Sequence, residues 1–141
     1  MIDALAERGH QQLLAVGRDD GSAARACGIQ LVPGLAVTSG RRDVANPLSS
    51  LATTFHPDVI HLHNALGPAA LQWAADQGAV ATIQDHRSFC PGRGKWTADG
   101  QPCRQAMSLT GCAECFEDEA YHRTICELTT TRLAALKRMK A

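Results

Sequence analysis

The chain has 141 residues, room for one domain with a substantial core and too few for two ordinary ones. At 45% hydrophobic and 20% charged, its composition is that of a globular protein and excludes a disordered or membrane-embedded class. Fourteen Lys and Arg balance fourteen Asp and Glu, so net charge gives no pull towards nucleic acid or anionic lipid. No apolar run approaches the ~20 residues of a bilayer span, which leaves only peripheral contact with a membrane open. The start, "MIDALAERGHQQ", has neither the basic opening nor the apolar stretch of a signal peptide. The expected compartment is therefore the cytoplasm, where thiols stay reduced, and six cysteines need an explanation there.

From residue 11 strand-like and helix-like segments alternate. "LLAVG" (13–17) reads as a buried strand, and "SAARACG" (22–28) as a short helix from Ser22 to a stop at Gly28. "IQLVPG" (29–34) is a second strand, followed by the polar loop "TSGRRDVANP". Asn46-Pro47 opens the next helix as cap and first-turn proline, Leu48, Leu51 and Phe55 give it an apolar face, and His56-Pro57 ends it. "DVIHLHN" (58–64) is a strand, "LGPAALQWAADQG" (66–78) a helix stopped by Gly78, and "AVATIQD" (79–85) the fourth strand. Strands separated by helices require crossover connections, hence parallel pairing. The expected fold is α/β: a Rossmann-like, doubly wound parallel sheet with a Cys-rich insertion before the last helix. That helix is expected over about 117–139. Acidic residues stand at its start, basic residues at its end, and Ile125, Leu128, Leu133, Leu136 and Met139 form an apolar stripe.

Cys90, Cys103, Cys112 and Cys115 all fall in the connection between the fourth strand and the last helix, with twelve, eight and two residues between them. The last spacing is that of a zinc knuckle. A polar loop over 90–115 cannot order itself by burial, whereas one structural zinc on four thiolates would close it. Free thiols and two disulfides remain the alternatives. Cys27 and Cys126 read as small buried apolar residues, with His122 and Cys126 a reserve pair of ligands four residues apart. His61 and His63 alternate on one strand, so both face one way at its carboxyl end, where doubly wound sheets bind ligands. Gln84, Asp85, His86 and Arg87 leave the next strand towards the same edge. "CPGRGK" lacks the spacing and the Ser/Thr of a phosphate loop, and no Gly-x-Gly-x-x-Gly follows any strand, which argues against a nucleotide-sugar epimerase or reductase.

"LAERGHQ" before a strand, "HPDVIHLHN" before a helix, and "TIQDHRSFCP" followed by three further cysteines resemble the N-terminal domain of glycosyltransferase family 4. The resemblance implies the GT-B architecture and a retaining transferase that moves a sugar from a nucleotide-sugar donor to an acceptor. It places His61, His63 and Asn64 at the cleft, with His86 and Arg87 beside them as substrate contacts. It sets Gln84 and Asp85 at the family's catalytic His-Asp pair; the Gln departs from the pattern and can hydrogen-bond but not titrate. It further implies that residues 1–141 are a single partial, acceptor-side domain that begins within the family's first helix. The partner would be the family's donor-binding domain, without which the chain is expected to be inactive. With no central first strand, the strands at 13–17 and 58–63 should each keep an unpaired edge, and self-association is expected. The competing reading is a non-catalytic zinc-bearing binding module or a gene remnant.

Overall fold

The alternation of strands and helices is realised, but the strands are short and do not join into one sheet. The computed structural model describes residues 2–19, 21, 27–39 and 43–140. Along it run α1 (Ile2–Ala6), β1 (Leu13–Val16), β2 (Gly28–Leu31), α2 (Ala45–Phe55), β3 (His61–His63), α3 (Pro68–Asp76), β4 (Val80–Thr82) and α4 (Glu119–Leu136). Short 3-10 turns cover His86–Ser88 and Ala113–Cys115. The expected helix over 22–28 lies for the most part outside the described residues.

β1 pairs in parallel with β2, Leu13 opposite Gly28, and β3 pairs in parallel with β4, His61 opposite Val80 and His63 opposite Thr82. These are two separate two-stranded sheets. The expectation of a doubly wound, Rossmann-like sheet is thereby overturned. The local pairings are parallel as the crossover argument requires, yet no ladder among the described residues joins β1 to β3. Among the described residues β1 and β3 each have one hydrogen-bonded strand neighbour. β4 also carries an isolated parallel bridge from Val80 to Lys140, whose N–H donates to the Ala79 carbonyl at 3.1 Å.

α3 holds the two halves together. Its Ala70 belongs to a buried cluster with Val32, Val44 and Leu48, against which Ala15 of β1 packs. Its Leu71 and Ala75 belong to a second cluster with Ala135 of α4, against which Leu62 of β3 packs. Trp73 ties α2 to α3 by donating from Nε1 to Ser49 Oγ at 2.8 Å. At the start of α3, Gly67 leaves no room for a side chain, because a Cβ there would stand 2.6 Å from the Val37 carbonyl oxygen.

Two helix ends differ from expectation. The N-cap of α2 is not Asn46 but Val44, which makes no side-chain cap bond, and Asp43 just before it accepts from the Ala45 N–H through Oδ1 at 3.1 Å. α4 begins as its acidic start suggests, with Asp118 accepting from the Tyr121 N–H at 2.9 Å. Its buried line, however, is Cys126, Thr129, Arg132 and Ala135, and the expected apolar stripe lies only half-buried to either side. Small residues every third position let α4 lie close against its neighbours, and an arginine occupies the middle of that seam.

Candidate functional site

At the paired strands β3 and β4, His61, His63 and Thr82 come together. His61 and His63 project on one side of β3, as their alternation requires, with ring centroids 4.1 Å apart. His61 Nε2 shares a hydrogen bond of 2.8 Å with Thr82 Oγ1 on the neighbouring strand. Burial, then the neighbouring charge of His61, lowers the pKa of His63, so its neutral imidazole is the form present at pH 7. Thr82 was missed in the sequence, because the register that sets His63 beside it is a pairing between strands that alternation within one strand does not fix. Asn64 closes β3 in the left-handed region, at φ 50°, a conformation Asn tolerates better than most residues. Gln84 is exposed, and its amide has no partner among the described residues.

Asp85 is differently employed. Its carboxylate accepts from the Arg87 backbone N–H at 2.8 Å and from the Arg87 guanidinium at 2.6 and 2.9 Å. The Arg87 side chain, and next its backbone N–H, hold the Asp85 pKa down to about 2. The same contact raises that of Arg87. A carboxylate so committed caps the 3-10 turn at 86–88 and stays ionised at neutral pH, which suits it to fixing a turn rather than to shuttling protons. His86 Nε2 hydrogen-bonds the Gly92 carbonyl at 3.1 Å and so anchors the start of the cysteine-rich loop.

Behind this edge lies Arg132, 2% exposed. Its guanidinium donates to three carbonyls: Leu66 at 2.8 Å, Arg87 at 3.0 Å and Thr38 at 2.6 Å. These belong to the segments that follow β3, β4 and β2. One side chain of α4 therefore stitches three post-strand loops together. Burial, and then the charge of Arg87, lowers its pKa without bringing it near neutrality. A charged residue in the chain's best helix reads as solvent-facing, and that is why sequence reasoning missed it. The signal was its place in the Cys126–Thr129–Arg132–Ala135 line of small residues.

The cysteine-rich loop is closed by hydrogen bonds of its own. Cys90, Cys103, Cys112 and Cys115 line one cavity of about 20 Å³. Among the described residues, however, no three His, Cys, Asp or Glu side chains are grouped so that they could hold a metal ion. The expected metal-binding group on these four thiolates is thus not assembled among the described residues. The physical premise was that a polar loop needs a metal to close it, whereas backbone and side-chain hydrogen bonds close this one. The Lys95 N–H donates to Cys90 Sγ at 3.3 Å, and the Cys103 N–H donates to the Lys95 carbonyl at 2.7 Å. Thr97 and Gln101 form a tight turn, and the Cys112 N–H donates to the Ser108 carbonyl at 3.1 Å. Gly92 permits close approach to Cys115, since a Cβ there would lie 2.9 Å from the Cys115 Cβ. Cys126 is buried as expected. Burial, and then its thiol neighbours with Cys112 foremost, push its pKa up to about 11. The reserve pair is not assembled either: His122 Nε2 is buried without a hydrogen-bond partner, and its ring stacks on Phe116.

Comparison of the chain with protein-family models, with curated proteins and with solved structures gives no match.

Proposed function

We propose that the chain is the acceptor-side part of a glycosyltransferase, one that moves a sugar from a nucleotide-sugar donor with retention. One observation carries the reading. At the ends of two adjacent parallel strands, two imidazoles 4.1 Å apart stand beside the Thr82 hydroxyl, and Gln84, two residues further along the chain, is exposed. Neutral imidazole, hydroxyl and amide each donate and accept hydrogen bonds, which matches the hydroxyl-rich surface of a sugar. The resemblance in "HPDVIHLHN" and "TIQDHRSFCP" points the same way.

In this reading His61, His63, Asn64 and Gln84 meet the sugar, while Asp85 and Arg87 hold the turn beside them and His86 fixes the loop that rims it. Stabilisation of the leaving phosphate, the larger electrostatic part of such a reaction, falls to the donor-binding domain that the resemblance implies. The chain alone therefore binds sugar weakly and transfers none.

Calorimetric titration of simple glycosides and nucleotide-sugars into the chain tests the reading. Weak binding is expected, reduced about tenfold by His63→Ala or Gln84→Ala as a lost polar contact predicts, and much less by His86→Ala. Binding that ignores His63 and Gln84 would contradict the site. Binding of an unrelated ligand class alone would favour the non-catalytic module.

A further inference from the structure

The cysteine-rich loop lies along one face of α4, and the register of that contact can be read from its two ends. At the start of the helix the Phe116 ring stacks on His122, with centroids 5.0 Å apart and an interplanar angle of 17°. Two turns further on, Thr130 Oγ1 meets Met107 Sδ at 4.0 Å. His122, Cys126 and Thr130 follow one another at intervals of four and so share one stripe of α4. Between residues 116 and 107 the loop runs opposite to the helix. Its midpoint, Cys112, falls against the midpoint of the stripe, Cys126. Cys112 accordingly stands among the neighbours that raise the Cys126 pKa.

We propose that Cys112 and Cys126 are a reversible disulfide site that locks the cysteine-rich loop onto α4. The neighbouring thiols are otherwise directed. Cys115 packs onto the backbone at Gly92, where a Cβ would stand 3.1 Å from its sulfur, and Cys90 Sγ accepts from the Lys95 N–H. The link would also fix the width of a cleft of about 430 Å³ on the same seam, lined by Thr110, Ala113, Phe116, His122 and Arg123.

The oxidant is a low-molecular-weight disulfide of the glutathione type. Cys126 is 3% exposed and out of its reach, whereas Cys112 is half-buried. The Cys112 thiolate attacks one sulfur of the oxidant and expels one thiolate, which takes up the proton Cys112 has lost. Cys126 then gives up its proton and attacks the Cys112 sulfur of the mixed disulfide, expelling the second thiol. Two S–H bonds and one S–S bond are exchanged for one protein S–S bond and two small thiols.

The test is to incubate the folded full chain with glutathione disulfide, quench with an alkylating agent, digest, and map the peptides by mass spectrometry. The expected product is a Cys112–Cys126 linked peptide pair, with two fewer alkylatable thiols and full reversal by dithiothreitol. Cys126→Ala and Cys112→Ser should each abolish the link, and Cys103→Ser should leave it intact. Cys112→Ser is a near-isosteric change at a half-buried loop position, so its result stands even if Cys126→Ala unfolds the chain. A dominant Cys112–Cys115 or Cys90–Cys103 link would overturn the proposal. So would stable glutathione adducts at Cys112 with no internal bond, or a full set of alkylatable thiols after oxidation.

Discussion

Replacing Arg132 by methionine keeps the length and much of the packing of the stem but removes every donor of the guanidinium. Three carbonyls, those of Thr38, Leu66 and Arg87, then lose the partner that now stands 2.6 to 3.0 Å away. Hydrogen bonds from a charged donor are worth about 1.5–3 kcal/mol each by truncation. Against this stands relief of the desolvation of a buried cation, several kcal/mol in real proteins. The net expectation for Arg132→Met is a loss of about 2–4 kcal/mol, a large share of the ~7–20 kcal/mol expected for a chain of this length. Arg132→Lys should lose nearly as much, because one ammonium cannot span three carbonyls on separate loops. Urea unfolding monitored by circular dichroism reads the change as a fall in midpoint of about 1–2 M. Hydrogen exchange should quicken at the segments around Thr38, Leu66 and Arg87 more than in α2. An Arg132→Met variant as stable as the parent, with unchanged exchange there, would refute the stitching role.

The Asp85–Arg87 contact has a pH signature. The Asp85 pKa is lowered from 3.8 to about 2, so its contribution is complete above pH 4 and is lost as pH falls towards 2. Arg87 is largely exposed, so Asp85→Asn should cost no more than about 1 kcal/mol at pH 7 and nothing below pH 2, as comparative urea melts would show. A penalty that persists at pH 2 would mean that the carboxylate acts through something other than its charge. At the histidine pair, His61→Ala should raise the His63 pKa only part of the way to its ordinary value, because the repulsion goes while burial stays. Imidazole proton titration by NMR would show no change if the rings do not interact. Finally, among the described residues β1 and β3 each present an unpaired edge, so the chain is expected to self-associate as concentration rises in sedimentation velocity runs. A single monomeric boundary throughout, with a sharp unfolding transition, would contradict that.

Local chemistry was legible in the sequence where a single rule sufficed. Alternation put His61 and His63 on one side, Asp118 was readable as a helix start, and His56-Pro57 as a stop, with His56 in the left-handed region at φ 51°. Longer-range outcomes were not. Parallel pairing follows from the crossovers, but joining β1 to β3 requires backbone groups that can reach each other, and periodicity says nothing about that distance. The cysteine spacing suggested a metal because a polar loop seemed to lack any other source of order. The hydrogen bonds that supply it, such as Cys103 N–H to the Lys95 carbonyl, use the backbone and leave no trace in composition. Arg132 was hidden for the opposite reason: its residue type predicts exposure, and only the packing of α4 against three loops reverses that.

The central claim is that the edge formed by His61, His63, Thr82 and Gln84 receives a sugar. The most direct measurement is a chemical-shift map of the isotopically labelled chain, titrated with simple glycosides and with nucleotide-sugars. The account predicts saturable shifts concentrated at residues 61–64 and 82–87, absent in a His63→Ala, Gln84→Ala double variant. Shifts confined to the cleft beside His122, or no shifts with any sugar, would contradict it.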